Sequence, residues 1–142
     1  MNKHSFIFGF FIVLLSFCSC KEDQIEVDCS TYDFSNCNTT EPFYGSLKIK
    51  LTINSENPKV PIVIYKGSVE SNIVEYVDTL STTEFNIDLP LSSYYSVTAK
   101  YRSGSKTIIA VDGDDVIKKN SNICDSTCWS IQNGTANVQL NY

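Results

Sequence analysis

Hydrophobic and polar positions alternate along most of the chain beyond residue 43. In residues 45–54, four aliphatic side chains recur at every second position: Leu47, Ile49, Leu51 and Ile53. A period of two places side chains on one face of a strand, so this segment is predicted to be a strand with one buried and one solvated face. Residues 60–66 are apolar at nearly every position, which is typical of a central strand or one covered on both faces.

The same pattern predicts further short strands separated by turn residues. They comprise residues 73–80, 83–89, 94–102, 106–111 and 116–119, and a last strand with Ala136, Val138 and Leu140 facing inward. Turns are predicted at Ser103-Gly104, Asp112-Gly113 and Asn133-Gly134, and Asp112-Gly113 is expected to close a two-residue hairpin. Seven or eight strands without a helical period predict a single all-β domain, an antiparallel β-sandwich, over residues 43–142.

Three pieces of this region carry a family resemblance. They are Gly45-Ser46-Leu47, residues 60–66, and Phe85-Asn86-Ile87-Asp88-Leu89-Pro90 followed by Tyr95-Ser96-Val97. Together they resemble the transthyretin-like or carboxypeptidase-regulatory-like sandwiches of small Bacteroidetes lipoproteins. Ser93 departs from that pattern, because a Gly commonly precedes the Tyr in the family. An immunoglobulin-like topology is the neighbouring alternative.

The first residues follow the pattern of an exported protein. Lys3 precedes an apolar run at residues 6–17, and the small Ser19 precedes Cys20. This order of parts is that of a secretory signal peptide. The run is about 12 residues long, whereas a helix that crosses a bilayer needs roughly 20.

Ser19 and Cys20 resemble the lipobox of bacterial lipoproteins, in which the cysteine is lipidated and becomes the new N-terminus. Phe17 departs from that pattern, since the family usually has Leu there, and its bulk disfavours Cys18 as the acceptor. The resemblance implies a signal peptide at residues 1–19 and acyl chains such as palmitate on Cys20. Two or more chains anchor a protein stably, at about 0.8 kcal/mol per buried methylene. The alternative is an ordinary signal peptide with free cysteines.

The residues after Cys20 resemble a targeting signal. Lys21, Glu22 and Asp23 resemble the signal that sends Bacteroidetes lipoproteins to the outer face of the outer membrane; the alternative is a solvated linker. Residues 20–42 are polar and are predicted to form the lipidated N-terminus and a tether. The expected location is therefore the outer membrane, lipid-anchored and facing the cell exterior.

Composition fits one small exported domain. Removal of the first 19 of the 142 residues leaves 123, enough for a single domain of ordinary size. The net charge is −5, and loss of Lys3 makes it −6. The sequence has no Lys/Arg cluster to displace phosphate counterions, which argues against a nucleic-acid partner.

The remaining cysteines predict two disulfides. An even number in an exported chain indicates oxidised pairs, here among Cys29, Cys37, Cys124 and Cys128. Their spacing favours the local pairs Cys29–Cys37 and Cys124–Cys128. The second pair requires a turn or helical loop, because an extended strand separates residues four apart by about 13 Å, beyond disulfide reach. Cross-pairing between the tether and the region before the last strand is the alternative.

Several chemistries are excluded or disfavoured. His4 lies in the predicted signal peptide, so the mature chain has no histidine for a Ser-His-Asp or Cys-His mechanism, and a zinc site is not expected. The dispersed glycines form no phosphate loop. Asp112-Gly113-Asp114-Asp115 is interpreted as a hairpin turn rather than a calcium loop. We therefore expect no enzyme activity, no cofactor and no metal.

Candidate binding and modification sites remain. Tyr94 and Trp129 are candidates for stacking on a ligand, with packing against a disulfide the alternative for Trp129. Tyr44 is a further candidate exposed aromatic. Thr79 and Ser126, in Asp78-Thr79-Leu80 and Asp125-Ser126-Thr127, resemble acceptors of Bacteroidetes protein O-glycosylation, which requires an exposed hydroxyl.

The functional prediction is a non-enzymatic, surface-exposed outer-membrane lipoprotein that acts as a binding or accessory module for a protein or glycan partner. The alternative is a structural or adhesive subunit that assembles by edge-strand addition. A small inhibitor-like module is a third hypothesis.

Overall fold

A computed structural model describes residues 28–140 of the chain. The predicted signal peptide at residues 1–19, Cys20 and Lys21-Glu22-Asp23 lie outside the described residues. Eight strands follow one another, with 3₁₀ turns at Phe34–Asn36 and Val69–Ser71. The strands are β1 (Tyr44–Lys50), β2 (Val60–Lys66), β3 (Val74–Leu80), β4 (Glu84–Pro90), β5 (Ser93–Ser103), β6 (Lys106–Ile123), β7 (Ser126–Gln132) and β8 (Gly134–Asn137).

The strands form two sheets, and the predicted all-β sandwich is confirmed. The smaller sheet has the order β4-β1-β8 and the larger has the order β3-β2-β5-β6-β7. Neighbouring strands are antiparallel except β1 and β8, which run parallel. No helix within residues 28–140 is both long and apolar enough to cross a membrane.

The core contains the residues that the alternating pattern places inward. Every second residue of β1 and β5 is fully or almost fully buried: Leu47, Ile49, Tyr95, Val97, Ala99 and Tyr101. Ala136 and Val138 contribute from the last strand and the residue after it, and Leu140 packs against them. These inward sets are as predicted, because a residue's side of the sheet follows from its parity alone.

The predicted hairpin at Asp112-Gly113 is wrong. Both residues lie inside the 18-residue strand β6, which pairs first with β5 and then, from Ile117, with β7. Gly113 serves a close approach rather than a turn. A Cβ there would lie 2.5 Å from the Tyr95 carbonyl oxygen and 2.5 Å from the Tyr94 hydroxyl oxygen.

The four cysteines form two disulfides, as predicted; the favoured local pairing is wrong, and the alternative, cross-pairing between the tether and the region before the last strand, is observed. The bonds join Cys29 to Cys124 and Cys37 to Cys128, with Cα–Cα distances of 5.4 and 4.8 Å. Cys124 and Asp125 have φ of 51° and 62°, as in the type I′ turn of a β-hairpin. Cys128 lies on β7 opposite Ser121. Residues 28–42 are therefore fastened to the β6–β7 hairpin.

Candidate functional site

The outward faces of the two sheets differ in polarity. The three-stranded sheet presents a polar face, where Lys48 lies opposite Asn86 and makes an ion pair of 3.8 Å with Glu84. Residues directly opposite on paired strands share a face. Ser46 and Lys50 lie on the same outward side, opposite Asp88 and Glu84. This face resembles the solvated side of an ordinary antiparallel sheet.

The five-stranded sheet instead presents aliphatic side chains outward. Val77 of β3 pairs with Val63 of β2, Val63 with Thr98 of β5, and Thr98 with Val111 of β6. We call this line of four residues the central row, and the outward side that it crosses the apolar face. Its outer members are open to solvent, with Val77 63% and Val111 56% exposed.

Further apolar residues extend this face. Ile109 follows on β6 and is 62% exposed, and Val74 follows on β3 and is 51% exposed. Folded monomers rarely leave contiguous apolar surface open, and such surfaces mark interaction sites. The apolar face is therefore the candidate functional site of the described residues.

One end of the apolar face is basic. Lys59, Lys100 and Arg102 line an open groove of about 730 Å³ together with Glu56. The Glu56 carboxylate accepts a 2.6 Å hydrogen bond from the Gly104 backbone N–H, so three cations and one carboxylate leave the groove net positive. Within residues 28–140 the ion pairs are Lys48–Glu84 and Lys118–Glu41, so the three cations of the groove are not neutralised by a salt bridge inside this part of the chain. They form the basic end.

The opposite end of the face is acidic. Asp115 is exposed on β6, and Glu70 is exposed in the 3₁₀ turn that follows β2. Hydrogen bonds from its own backbone N–H and from the Ser68 side chain hold the pKa of Glu70 below its ordinary 4.5, so this carboxylate is charged at neutral pH. Asp115 and Glu70 form the acidic end.

The free edge of β8 is protected by side chains from the other sheet. Asp114 Oδ2 accepts a hydrogen bond of 2.8 Å from the Thr135 backbone N–H, and Asp112 Oδ2 accepts one of 2.6 Å from Asn137. These aspartates thus seal an edge strand. Within residues 28–140, no group of three or more His, Cys, Asp or Glu side chains is arranged to hold a metal ion.

Two further edge strands are protected by different means. On β7, the Trp129 backbone N–H donates to the Asn38 carbonyl at 2.8 Å, and the Cys37–Cys128 disulfide holds the segment there. On β3, Asp78 Oδ1 accepts from the Thr79 N–H at 2.7 Å, and the pairing register with β2 shifts at Tyr65. Bulges and edge charges both discourage strand addition.

The predicted ligand-stacking aromatics do not form one platform. Tyr94 is 43% exposed near the acidic end, with its phenol over Gly113. Trp129 is half-buried on β7, and the Lys118 ammonium lies 5.4 Å from its ring centroid, a cation–π contact. The ring–ring pairs of the described part are Tyr32–Phe34 and Tyr76–Phe85, and neither includes Tyr94 or Trp129. Tyr44 is 63% exposed.

The two candidate glycosylation sites differ in access. Thr79 is exposed on the edge strand β3, whereas Ser126 is half-buried at the first position of β7. Thr79 is therefore the more accessible of the two candidate acceptors in the folded chain. The neighbouring Asp78 also accepts a 2.9 Å hydrogen bond from Tyr76, and this bond raises the pKa of Tyr76 above its ordinary 10.0.

Sequence reasoning missed the apolar face as a site. Two segments carried a signal that could have revealed it. Residues 60–66 and residues 106–111 both contain too few polar residues for a strand with one solvated face. No protein-family model matches this sequence, and no curated protein or solved structure matches it.

Proposed function

We propose that this protein is a non-enzymatic, surface-displayed lipoprotein that binds a protein partner on the apolar face. The observation that carries the proposal is the central row, three valines and one threonine, in which Val77 and Val111 are more than half exposed. Burial of apolar area contributes roughly 25 cal/mol per Å², so a partner that covers this row gains affinity without any rearrangement of the sheet.

The chemistry of the face favours a protein over a glycan. Its centre consists of Val, Thr and Ile side chains, which exclude water but pair with few hydroxyl groups. A sugar on this row would leave hydroxyls without hydrogen-bond partners, and each such group costs about 1–3 kcal/mol. A protein partner meets the row with its own apolar side chains, as in the core of a protein–protein interface.

Three of the four edge strands, β8, β3 and β7, are protected, and β4 is the remaining edge; this favours face binding over the alternative of edge-strand addition. A strand that adds to a sheet needs unpaired backbone N–H and C=O groups. On β8 and β3, however, aspartate side chains already bond edge N–H groups. On β7, Asn38 takes the position of an added strand.

The membrane-bound part of the proposal is supported by the sequence. Cys20, after the small Ser19 and the apolar residues 6–17, is the proposed site of lipidation, and Lys21-Glu22-Asp23 is the proposed export signal. We likewise retain the likeness to small Bacteroidetes lipoproteins as a proposal. Labelling with a fatty-acid analogue checks the anchor: we expect label on the wild type and none on Cys20→Ser, and label on both contradicts it.

Site-specific photocrosslinking on intact cells checks the binding face. A photoreactive amino acid replaces Ile109 on the apolar face or, as the matched control, Asn86 on the polar face. Both positions are on strands and both are exposed. We expect covalent protein adducts from position 109 and few from position 86. No adduct at position 109, or equal yields at both positions, contradicts the proposal.

A further inference from the structure

We infer that the partner on the apolar face is a second copy of this chain, packed face to face about a two-fold axis. The inference rests on the proposed function and names the partner of the same site. It is carried by the arrangement of charge on the face, which is basic at one end, acidic at the other and apolar between.

The two ends are equally far from the central row. Arg102 lies four residues along β5 from Thr98, and Asp115 lies four residues along β6 from Val111, in the opposite direction across the sheet. At 3.3–3.4 Å per residue, the Cα atom of each of these two residues is roughly 13 Å from the row. Thr98 and Val111 are directly paired, so Arg102 and Asp115 are on neighbouring strands.

A two-fold axis along the central row would bring the basic end of each copy against the acidic end of the other. Rotation about an axis that lies in the interface and crosses the strands turns the second copy end for end. Each residue of the row then meets its own counterpart. Arg102 of each copy comes opposite Tyr94 of the other, and Tyr94 is paired with Asp115, so Arg102 lies beside Asp115 of the other copy. Each contact occurs twice, which is the self-complementary pattern of an isologous dimer.

A second pair of charges follows the same geometry on β2. Lys59 lies four residues before Val63, at the basic end, and Gly67 lies four residues after it. Glu70 follows Gly67 in a 3₁₀ turn that is held to β2 by a 2.8 Å hydrogen bond from Ser71 Oγ to the Lys66 carbonyl. The same rotation therefore brings Lys59 of one copy to the end of the sheet at which Glu70 of the other lies.

Other arrangements are less favourable. An axis parallel to the strands would place the basic end of one copy on the basic end of the other, and such like-charge juxtaposition is unfavourable. Packing through the polar face offers no apolar row to bury. Only the end-for-end pairing satisfies both the aliphatic centre and the charged ends.

The test uses the full-length chain in intact cells, with a photoreactive amino acid at Thr98. This position lies on the proposed axis, so it meets its own counterpart. We expect an adduct of twice the mass of the chain. Arg102→Asp and Asp115→Arg should each reduce its yield at least about tenfold, because each brings like charges together. The Arg102→Asp, Asp115→Arg double variant should restore the yield.

Lys48→Asp on the polar face is the matched control and should leave the yield unchanged. If the yield of the double-mass adduct is unchanged by Arg102→Asp and by Asp115→Arg, the end-for-end pairing is overturned. An adduct of any other mass overturns the second copy as partner while it supports a protein-binding face. The absence of any adduct at positions 98 and 109 overturns both proposals.

Discussion

Tyr101 joins the two sheets at the end of the sandwich where β5 turns into β6. Its side chain is 1% exposed. The hydroxyl donates to the Val138 carbonyl oxygen at 2.8 Å and accepts from the Thr52 backbone N–H at 3.2 Å. Val138 and Thr52 lie just beyond the ends of β8 and β1, where strand pairing no longer provides a hydrogen-bond partner for the Val138 C=O and the Thr52 N–H. One phenol thus completes the hydrogen bonding of two backbone groups near the core.

We expect Tyr101→Phe to lower the free energy of unfolding by about 1–3 kcal/mol, because it leaves these buried backbone groups short of a partner while the ring still fills its space. Urea unfolding of the purified protein measures the change. Tyr44→Phe, which removes a hydroxyl from a mostly exposed ring, should change it by less than about 0.5 kcal/mol. Equal midpoints for the wild type and Tyr101→Phe would show that the hydroxyl is not structural.

Residue-scale prediction succeeded where a side chain depends on its own strand and failed where it depends on another strand. The inward side of Tyr95 and Val97 follows from alternation alone. Gly113, in contrast, follows an Asp, as in a hairpin turn, but Tyr94 and the Tyr95 carbonyl occupy the space where its Cβ would lie. That requirement is set by the neighbouring strand β5, and no local pattern encodes it.

At the scale of the element, β8 shows how a short strand is held in place. It has only four residues, pairs with β1 on one side, and receives two aspartate side chains from β6 on the other. An unpaired N–H of an edge strand attracts other chains. Asp112 and Asp114 both satisfy these groups and fasten the small sheet to the large one.

We expect Asp114→Ala to lower the free energy of unfolding by about 1–2 kcal/mol and to speed hydrogen exchange at the Thr135 amide, because that N–H loses a charged acceptor. Exchange is followed by NMR, and stability by urea unfolding. Asp88→Ala, on the polar face of β4, is the control and should alter neither measurement appreciably. Unchanged Thr135 exchange in Asp114→Ala would exclude the proposed edge protection.

Strands were predicted correctly where their own residues determine them, and wrongly where contacts with distant parts of the chain determine them. β2 was predicted with its observed bounds, and β3, β4 and β5 to within one residue at each end. β1 was predicted to continue to residue 54, four residues beyond its observed end at Lys50. β7 was missed, since its cysteines suggested a loop, and β6 was divided at its Asp-Gly. Strand pairing brings together residues far apart in sequence, so the sheet order and the exposed apolar face could not be predicted, and the observed disulfide pairing was named only as the alternative to the local pairs.

For the whole molecule, the two disulfides tie residues 28–42 to the β6–β7 hairpin. Their partners are 95 and 91 residues apart in sequence, and the loops that they close overlap almost completely. When one bond is present, the other closes an effective loop of only about 12 residues, made of the short segments Cys29 to Cys37 and Cys124 to Cys128. In the chain-entropy account, a loop of that size contributes about 3 kcal/mol, and one near 100 residues about 4.7 kcal/mol.

We therefore expect Cys37→Ser with Cys128→Ser to lower the free energy of unfolding by about 3 kcal/mol, and Cys29→Ser with Cys124→Ser to do the same. Loss of both bonds should cost about 7–8 kcal/mol, more than the two separate losses together, because only then is the long loop released. This is comparable to the whole stability of a typical domain. Urea unfolding of the three variants measures the differences. Strictly additive losses, or a fourfold variant as stable as either pair, would contradict the overlapping-loop account.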